Sequence, residues 1–414
     1  MSGVFRRVRD SYRPHRYVVR RVGVAMLAVA LGLVVVGGAI RVVRSATRRT
    51  PPAATSASPS DAWTATLDAP VTGLAVDENR LFVASDHLLV FPLSCVVADD
   101  ECQPRWQGVV AGGPLSVPVI SDERAFAGSA EGQLYAFPST CTDGCTPEWI
   151  GEAGSGPVSE PAANFDFVYV TSDELSVFPV GCATDGVGCT PAWSADVPGR
   201  PAGGAPALGE GLVVVGSASK RGGVTAYPAV CGAECEPVWT ARFDGPATSV
   251  AIGDGLAYTV ARGRLLAFPL SCAGRCEPEW RALFTTEAAS PTGKALTPGA
   301  EGAPVFADGR VLVGGTDGTL WVFASSCESA RCEPIDSYDL GSTPLLTPAI
   351  DDDTAIVTSM TGDVTRIDLS CEPADACAPV TLLRLGSPAL TPAVIASDTA
   401  IAGAADGSLE AVAR

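Results

Sequence analysis

Short apolar runs alternate with turn residues along most of the chain, and from Trp63 onward the pattern repeats every 41 to 46 residues. Each repeat opens with a Pro- and Ala-rich apolar run, such as 114–120, and passes through an Asp/Gly turn into a β-branched or aromatic run, such as 124–128. A turn containing Gly follows at 130–132, and then an alternating aromatic run at 133–137. Such runs are typical of short strands separated by tight turns. The pattern predicts strands A, B and C of a repeating β-unit.

A cysteine pair and a tryptophan complete most of the units. The seven pairs use all 14 cysteines, namely Cys95/Cys102, Cys141/Cys145, Cys182/Cys189, Cys231/Cys235, Cys272/Cys276, Cys327/Cys332 and Cys371/Cys377. The pairs are expected to close short hairpins between strand C and a strand D that begins at the tryptophan. The repeated tryptophans are Trp63, Trp106, Trp149, Trp193, Trp239 and Trp280. Because one recurs per unit at one strand position, we interpret them as structural wedges between blades rather than as a stacking platform for a sugar or quinone.

The number of units predicts how the fold closes. Strands A, B and C occur eight times, and the last copy ends at 408–412 without a strand D. The segment at Trp63 lies 43 residues before Trp106 and supplies the missing strand. Such closure removes exposed sheet edges. Four strands per unit of this size are typical of propeller blades. We therefore predict an all-β, eight-bladed β-propeller of four-stranded blades over residues 61–414.

The repeat resembles the pyrroloquinoline-quinone-like (quinoprotein alcohol dehydrogenase-like) propeller repeat. In that family strand C is followed by Asp, a Thr-Gly turn and a tryptophan that docks between blades. Residues 135–138 and Trp149 occupy this frame, with a cysteine loop in place of the Thr-Gly turn, and residues 366–369 keep the Asp. No Gly-His and Trp-Asp pair recurs, so the related WD40 repeat matches less well. The resemblance covers residues 63–414 and implies the propeller architecture.

Relatives with this architecture include soluble quinoprotein dehydrogenases, the lipoprotein subunit of outer-membrane barrel assembly and extracellular sensor domains, so the resemblance implies no single activity. Resemblance to the quinoprotein enzymes would imply adjacent cysteines beneath the cofactor and a calcium site of Glu, Asn and Asp. The sequence contains no Cys-Cys dipeptide, and no positions match the calcium triad. No cofactor is therefore expected.

The N-terminal region predicts one membrane crossing. Residues 22–40 carry no charge and would span about 28 Å as a helix, against about 30 Å of hydrocarbon. Seven arginines precede this run and four follow it, which favours a cytoplasmic N-terminus. An uncleaved anchor is preferred to a cleaved signal peptide because no convincing small-x-small site follows. We expect a basic cytoplasmic segment at 1–21, a transmembrane helix at 22–40, a Pro/Ser/Ala-rich linker at 41–60 and a propeller outside the plasma membrane.

The cysteines agree with this placement. Paired thiols are kept reduced in the cytosol and persist as disulfides outside the membrane. A Cys-x3-Cys spacing can supply two zinc ligands, but the intervals here vary from three to six residues, whereas a tetrahedral site fixes its ligand geometry. We therefore predict disulfides rather than a metal site.

Basic and acidic residues are distributed unevenly along the chain. Residues 1–50 hold 11 of the 28 basic residues and one of the 46 acidic residues, which leaves 17 basic and 45 acidic residues, a net charge of −28, for the remainder. Nucleic acid is an unsuitable ligand for so acidic a domain, because binding its backbone depends on Lys and Arg. The acidic surface is interpreted as solubilising. Cation binding at residues 351–353 is an alternative, although the run lacks a calcium-loop spacing.

One segment breaks the repeat and suggests a binding face. Residues 285–301 lengthen the connection after Trp280 and carry Lys294. By strand alternation this loop shares a face with Lys220 and Arg221, opposite the cysteine loops. Long loops on rigid scaffolds often carry binding, although a tolerated insertion explains the surplus equally well. Lys220, Arg221 and Lys294 therefore mark the candidate binding face.

The sequence favours a binding protein over an enzyme. Only His15 and His87 are available as histidines, and all cysteines are paired, so no residue pattern supports acid–base catalysis. We expect a membrane-anchored extracytoplasmic propeller that acts as a non-catalytic binding or scaffold module of the cell envelope, with another envelope protein or a cell-wall ligand as partner and no nucleic acid. The alternatives are a quinone-dependent dehydrogenase, which rests on the resemblance, and an extracellular ligand sensor, which the 21 residues before the predicted helix disfavour.

Overall fold

The computed structural model describes residues 63–98, 102–182, 188–220, 222–232, 235–247, 249–283, 302–371 and 378–414. The predicted cytoplasmic segment, membrane helix (22–40) and linker lie outside these ranges. Within them, no helix is both long enough and apolar enough to cross a membrane.

Eight antiparallel sheets follow one another along the described chain, each with strand order A-B-C-D. Blade 1 contains β2 (Gly73–Val76), β3 (Arg80–Ala84), β4 (Leu88–Pro92) and β5 (Trp106–Gly108); blade 2 contains β6 (Val119–Ser121), β7 (Arg124–Gly128), β8 (Gln133–Pro138) and β10 (Trp149–Glu152); blade 3 contains β11 (Ala162–Ala163), β12 (Phe167–Thr171), β13 (Leu175–Pro179) and β15 (Trp193–Ala195); blade 4 contains β16 (Ala207–Gly209), β17 (Leu212–Ser217), β18 (Gly223–Pro228) and β19 (Trp239–Arg242). Blade 5 contains β20 (Val250–Gly253), β21 (Leu256–Ala261), β22 (Arg264–Pro269) and β24 (Trp280–Leu283); blade 6 contains β25 (Val305–Ala307), β26 (Arg310–Gly314), β27 (Thr319–Ala324) and β29 (Asp336–Asp339); blade 7 contains β30 (Ala349–Asp351), β31 (Thr354–Thr358), β32 (Asp363–Asp368) and β33 (Val380–Arg384); blade 8 contains β34 (Val394–Ala396), β35 (Thr399–Gly403), β36 (Ser408–Ala413) and β1 (Trp63–Thr66). The predicted eight-bladed, all-β propeller of four-stranded blades is confirmed.

The closure of the ring joins the two ends of the described chain. Strand β1 pairs antiparallel with β36, with Trp63 opposite Ala411 and Thr66 opposite Ser408. The N-terminal strand therefore acts as strand D of blade 8, as the sequence predicts. Neighbouring strands A contact one another around the ring, so they line its centre.

The middle strands are buried on both faces because every blade packs between two neighbours. Strand β12, with the sequence Phe-Val-Tyr-Val-Thr, is buried along four of its five residues. Strand D lies farther out, and β10 alternates between buried and more exposed positions. β-Branched and aromatic residues favour such packed strands, so composition and burial agree.

Each repeated tryptophan begins a strand D and is at most 4% exposed. The Nε1 of Trp149 donates a hydrogen bond of 3.1 Å to the carbonyl of Val180, at the end of strand C in the next blade, and the ring stacks on Phe178 at 6.0 Å. Trp239 makes the corresponding bond of 3.3 Å to the carbonyl of Leu270. These contacts place tryptophans between consecutive blades, where they bury apolar area and satisfy their one donor.

The predicted disulfides are confirmed for six pairs, whose Cα atoms lie 5.5 to 6.0 Å apart: Cys95–Cys102, Cys141–Cys145, Cys182–Cys189, Cys231–Cys235, Cys272–Cys276 and Cys327–Cys332. Cys371 is also disulfide-bonded, and its predicted partner, Cys377, lies outside the described residues. Every described disulfide is local to one connection between strands C and D.

Four cysteine loops add a strand that the sequence did not predict. The added strands pair in parallel with strand D of the preceding blade and are β9 (Asp143–Cys145), β14 (Gly188–Cys189), β23 (Gly274–Arg275) and β28 (Arg331–Cys332). In one of them, the backbone N–H of Cys276 donates to the carbonyl of Thr240 at 2.9 Å. The disulfide loops therefore cover outer strand edges that would otherwise be open to other chains.

The first cysteine loop differs from the expected hairpin. It begins with a short helix, α1 (Leu93–Ala98), which runs through Cys95. Val96 of this helix is buried and packs in one cluster with Trp63 of blade 8. Strands β4 and β5 pair antiparallel, so the chain reverses between strands C and D as predicted, and only the helical turn inside the connection was not predicted.

Candidate functional site

The ring has two faces that differ in charge. We call the face with the A–B turns and the cysteine loops the cysteine face, and the face with the B–C turns and the D–A loops the turn face. Each of the eight A–B turns places a carboxylate on the cysteine face, and these are Asp77, Glu78, Asp122, Glu123, Asp166, Glu210, Asp254, Asp308, Asp352, Asp353 and Asp398. Several of these turns need positive φ, for example 48° at Asp254 and 74° at Gly255, as in type I′ hairpins. The cysteine face is acidic around the whole ring.

The acidic run 351–353 lies at one of these turns, in blade 7. Arg310 of blade 6 pairs with Asp353 at 3.1 Å, and Arg414 of blade 8 pairs with Asp351. Across the ranges that the structure describes, no group of three or more His, Cys, Asp or Glu side chains is arranged to hold a metal ion. Two carboxylates of the run therefore balance cations of the neighbouring blades.

The turn face carries a cluster of cations in blades 4 and 5. We call it the basic sector and define it by its residues, Arg200, Lys220, Arg242, Arg262 and Arg264. All five side chains are exposed. None of them has an ion-pair partner within 4 Å among the described residues. The basic sector therefore groups positive charge on a domain whose net charge is −28.

The sequence found only part of this sector. Lys220 lies in the B–C turn of blade 4, as expected, whereas Arg221 and Lys294 lie outside the described residues. Arg200, in the D–A loop before blade 4, and Arg262, in the B–C turn of blade 5, were missed because they are far apart in the chain. Comparing the same turn across all eight repeats would have revealed them, since most of the other B–C turns carry acidic residues.

Backbone contacts hold the sector together. The N–H of Gly245 donates to the carbonyl of Lys220 at 3.0 Å, and the N–H of Ala218 donates to the carbonyl of Arg200 at 2.9 Å. Arg200 and Arg262 have positive φ values of 72° and 51°, a conformation that is uncommon outside glycine. The side chain of Arg262 lies against Gly245, where a Cβ atom would come within 2.7 Å of its Cγ. The turns that present the cations are therefore built on a fixed backbone.

A cavity of about 390 Å³ opens within the sector. One wall is the D–A loop before blade 4, at Gly199, and the other is the face of β18 and β19 that is turned toward blade 3. Residues that line it include Thr225, Thr240 and Arg242, with Phe243 and Asp244 just after β19. The ring of Phe243 stacks on Phe268 of blade 5 at 6.0 Å, so the lining side chains supply hydroxyl groups, one cation and one carboxylate.

The cavity exists because blade 4 has small residues where blade 2 has large ones. Gly223 and Thr225 of β18 occupy the register positions of Gln133 and Tyr135 of β8. In blade 2 the Tyr135 hydroxyl donates to the Gln133 side chain at 2.5 Å and accepts from the N–H of Ala111 at 3.3 Å. Tyr135 thus fills the space that is open beside Thr225.

A buried hydroxyl without a partner lies next to this cavity. Ser217, the last residue of β17, is 2% exposed, and its Oγ makes no hydrogen bond to the described part of the chain. A Cβ atom on Gly199, which lines the cavity, would lie 3.3 Å from that Oγ. The corresponding Ser129 of blade 2 accepts the N–H of Gln133 at 3.1 Å. Counted from the serine to strand C, the B–C turn of blade 4 is two residues longer, and although Ser217 pairs with Gly223, its hydroxyl does not accept the corresponding N–H.

Two carboxyl groups elsewhere on the turn face have altered pKa values. Hydrogen bonds from Ser155 lower the pKa of Asp173, and the charge of Arg200 lowers it further. Burial raises the pKa of Glu160 to about 7. Glu160 lies two residues before β11, at the end of a D–A loop, and its side chain keeps contact with water.

Comparison with known proteins bears on the fold. No family model matches the chain, and no curated protein matches it. BamB from Moraxella catarrhalis, a propeller of pyrroloquinoline-quinone-like repeats, is 18% identical with a TM-score of 0.58, covering 85% of this chain and 96% of that one. Sqt1 from Saccharomyces cerevisiae is 8% identical with a TM-score of 0.66, covering 88% and 99%. The C-terminal WD40 domain of Sif2 is 11% identical with a TM-score of 0.63, covering 85% and 98%. At these identities the likeness shows the β-propeller fold alone.

Proposed function

We propose that this chain is a membrane-anchored, extracytoplasmic β-propeller that acts as a non-catalytic binding module of the cell envelope, and that it binds through the basic sector of the turn face. The observation that carries the proposal is the sector itself, because five exposed and unpaired cations are grouped on a domain with a large excess of negative charge. Unpaired surface charge of one sign steers and selects partners of opposite charge.

The rigidity of the scaffold supports a binding role. The sector is formed by turns between packed strands, and the disulfide loops on the opposite face reinforce the outer edges of the blades. Binding surfaces are commonly built from loops that a rigid framework positions. The likeness in fold to BamB and to a WD40 domain is consistent with a protein partner, and the pyrroloquinoline-quinone-like family remains our suggestion for the origin of the repeat.

The location outside the membrane is proposed from two features. Residues 22–40 form an uncharged run of sufficient length to cross a bilayer, and the disulfides are of the kind that persists in oxidising compartments. Both features favour a single-pass plasma-membrane protein with its propeller outside. We also propose that the propeller works without a quinone cofactor, since no residues match the cysteine pair and calcium site of the enzymes that its repeats resemble.

Proximity labelling in intact cells tests the proposal. A labelling enzyme fused after Arg414 is compared between the unaltered chain and a variant with Lys220→Gln, Arg242→Gln and Arg262→Gln. The matched control, Arg105→Gln with Arg275→Gln and Arg331→Gln, removes the same charge from the cysteine face. We expect envelope components to be labelled and to be lost only in the first variant.

Two results would contradict the proposal. Equal labelling by both variants would remove the basic sector as the binding surface. Labelling of cytoplasmic proteins alone would show that the propeller lies inside the cell. Dye reduction with an alcohol or sugar, after quinone and calcium are added to the purified chain, would favour the dehydrogenase alternative instead.

A further inference from the structure

The cavity in the basic sector has features that select a particular chemical class of ligand. Its volume of about 390 Å³ is within the range of small-molecule sites, which typically join an apolar surface to a few placed polar groups. We propose that this cavity binds a sugar unit that carries a carboxylate or a phosphate. This inference rests on the proposed function, since it names the ligand class of the same binding face.

Arg242 selects the anionic group. It lines the cavity from the end of β19, and its guanidinium has no ion-pair partner among the described residues. Arg200 and Lys220 belong to the turns that frame the opening. Arginine presents planar donors that match carboxylate and phosphate oxygens. Asp196 and Asp244 are the acidic residues nearest in sequence, and Asp173 of blade 3 interacts with Arg200, so Arg242 and Lys220 are the cations that remain available to an anionic ligand.

The remaining lining fits the hydroxyl groups of a sugar. Thr225 and Thr240 stand opposite each other across β18 and β19 and face the cavity. Asp244 is an acceptor for sugar hydroxyls at the end of the same wall. A hydroxyl both donates and accepts, so threonines suit a ligand with many hydroxyls better than a purely ionic one.

The unpartnered Ser217 is independent evidence for a ligand. A buried hydroxyl without a hydrogen bond costs free energy, and the same serine in blade 2 has a partner. In blade 4 the hydroxyl lies beside Gly199, on the cavity wall. A bound sugar hydroxyl would supply the missing partner.

Titration calorimetry on the purified full chain in detergent micelles tests the proposal. The probes are D-glucuronate and glucose 1-phosphate, with D-glucose and inorganic phosphate as comparisons. We expect one or both anionic sugars to bind, and to bind more weakly in high salt because the cations at the opening are exposed. Thr225→Tyr, which copies the filled arrangement of blade 2, and Arg242→Gln should each weaken binding about tenfold or more.

The matched control is Arg384→Gln, which removes an exposed arginine from blade 7 on the same face and should leave binding within about twofold. Arg242 is exposed, so its variant remains informative even if Thr225→Tyr fails to fold. Absence of binding by both anionic sugars, or binding that neither variant weakens, would overturn the proposal. Glucose or inorganic phosphate binding as tightly as the anionic sugars would do the same.

Competition distinguishes the sugar from an acidic protein segment. If a poly-glutamate peptide binds through Arg242 while neither sugar binds, the occupant is a peptide and this inference is wrong. The labelling experiment above would then still detect a partner at the basic sector, so failure of the sugar site can be separated from failure of the proposed function.

Discussion

Blades 2 and 4 have the same framework, but a tyrosine fills a space in blade 2 that is a cavity in blade 4. In both, the tryptophan that begins strand D donates its N–H to a carbonyl of the next blade, from Trp149 at 3.1 Å and from Trp239 at 3.3 Å. On the opposite side of strand C, blade 2 places Tyr135 against the D–A loop of blade 1, whereas blade 4 places Thr225 there. In these two blades the contacts with the following blade are alike, whereas the side chains that face the preceding blade differ.

The B–C turns differ in the same two blades. Ser129 closes a short turn by accepting the N–H of Gln133, while Ser217 precedes a turn lengthened by two residues and has no partner. The longer turn carries Lys220 and Arg221. The longer turn therefore adds positive charge beside the cavity and accompanies the loss of this hydrogen bond, and both features distinguish blade 4 as a candidate site.

The largest expected effect comes from opening blade 2. Tyr135→Ala should lower the free energy of unfolding by about 3 kcal/mol, because it removes a buried aromatic side chain and leaves a cavity. Tyr135 is 1% exposed and stacks on Phe137 at 6.2 Å. Denaturant unfolding followed by tryptophan fluorescence measures the change.

The matched change in blade 4 is Thr225→Ala. It should cost about 1 kcal/mol, since Thr225, although 3% exposed, loses only a hydroxyl and a methyl group beside the cavity. Equal losses for the two variants would mean that the space beside Thr225 is as closely packed as the space around Tyr135, and the comparison of filled and open blades would fail.

A second pair tests what the two blades share. Gly132 and Gly222 each precede strand C, and a Cβ atom would lie 2.1 Å from the carbonyl oxygen of Gly154 in the first case and 1.7 Å from that of Gly245 in the second. Gly132→Ala and Gly222→Ala should therefore each cost about 2 kcal/mol. Thermal unfolding of both variants checks this, and a harmless change at either position would show that the D–A loop there is free to move.

Replacing Ser129 and Ser217 by alanine should have different effects on the free energy of unfolding. Ser129→Ala leaves the N–H of Gln133 without its acceptor and should cost about 1 kcal/mol. Ser217→Ala removes a hydroxyl that has no partner, so it should be neutral or slightly stabilising. Side-by-side unfolding of the two variants measures the difference, and a loss of stability for Ser217→Ala would reveal a hydrogen bond at this hydroxyl in solution.

The sequence predicted the parts of the fold that repeat. Eight units, the tryptophan that begins six of the strands D and the local cysteine pairs all follow from spacing, and the closure by β1 follows from counting strands. The parallel strands β9, β14, β23 and β28 escaped prediction because they contain only two or three residues each and pair with another blade. Such long-range pairing leaves no periodic signal.

The candidate site was predicted less completely for a related reason. Lys220 was identified because lysine is rare in this chain. The cavity, however, arises because Gly223 and Thr225 are too small to fill the space beside them. Small residues have no motif of their own. Only alignment of the repeats by strand register reveals that they replace Gln133 and Tyr135, and that register comes from the structure.

Blade 3 lies between these two blades and supplies the smallest expected effect, at Glu160. The residues two positions before strand A are Val117 in blade 2 and Ala205 in blade 4, so Glu160 places a carboxyl where its neighbours are apolar. Burial raises its pKa from 4.5 to about 7. Because the folded-state pKa is the higher one, unfolding releases a proton between these values, and the stability that this group contributes is present at low pH and lost as the pH rises toward 7.

The Glu160→Gln variant has no titratable carboxyl group at this position. Its melting temperature should therefore match that of the unaltered chain near pH 4 and exceed it near pH 8, with the effect reduced because water reaches the carboxylate. Calorimetric scans at both pH values, with Glu152→Gln on the exposed rim of blade 2 as the control, measure the difference. A difference in melting temperature that stays constant with pH would mean that Glu160 titrates as an ordinary surface carboxyl and that blade 3 does not differ from its neighbours at this position.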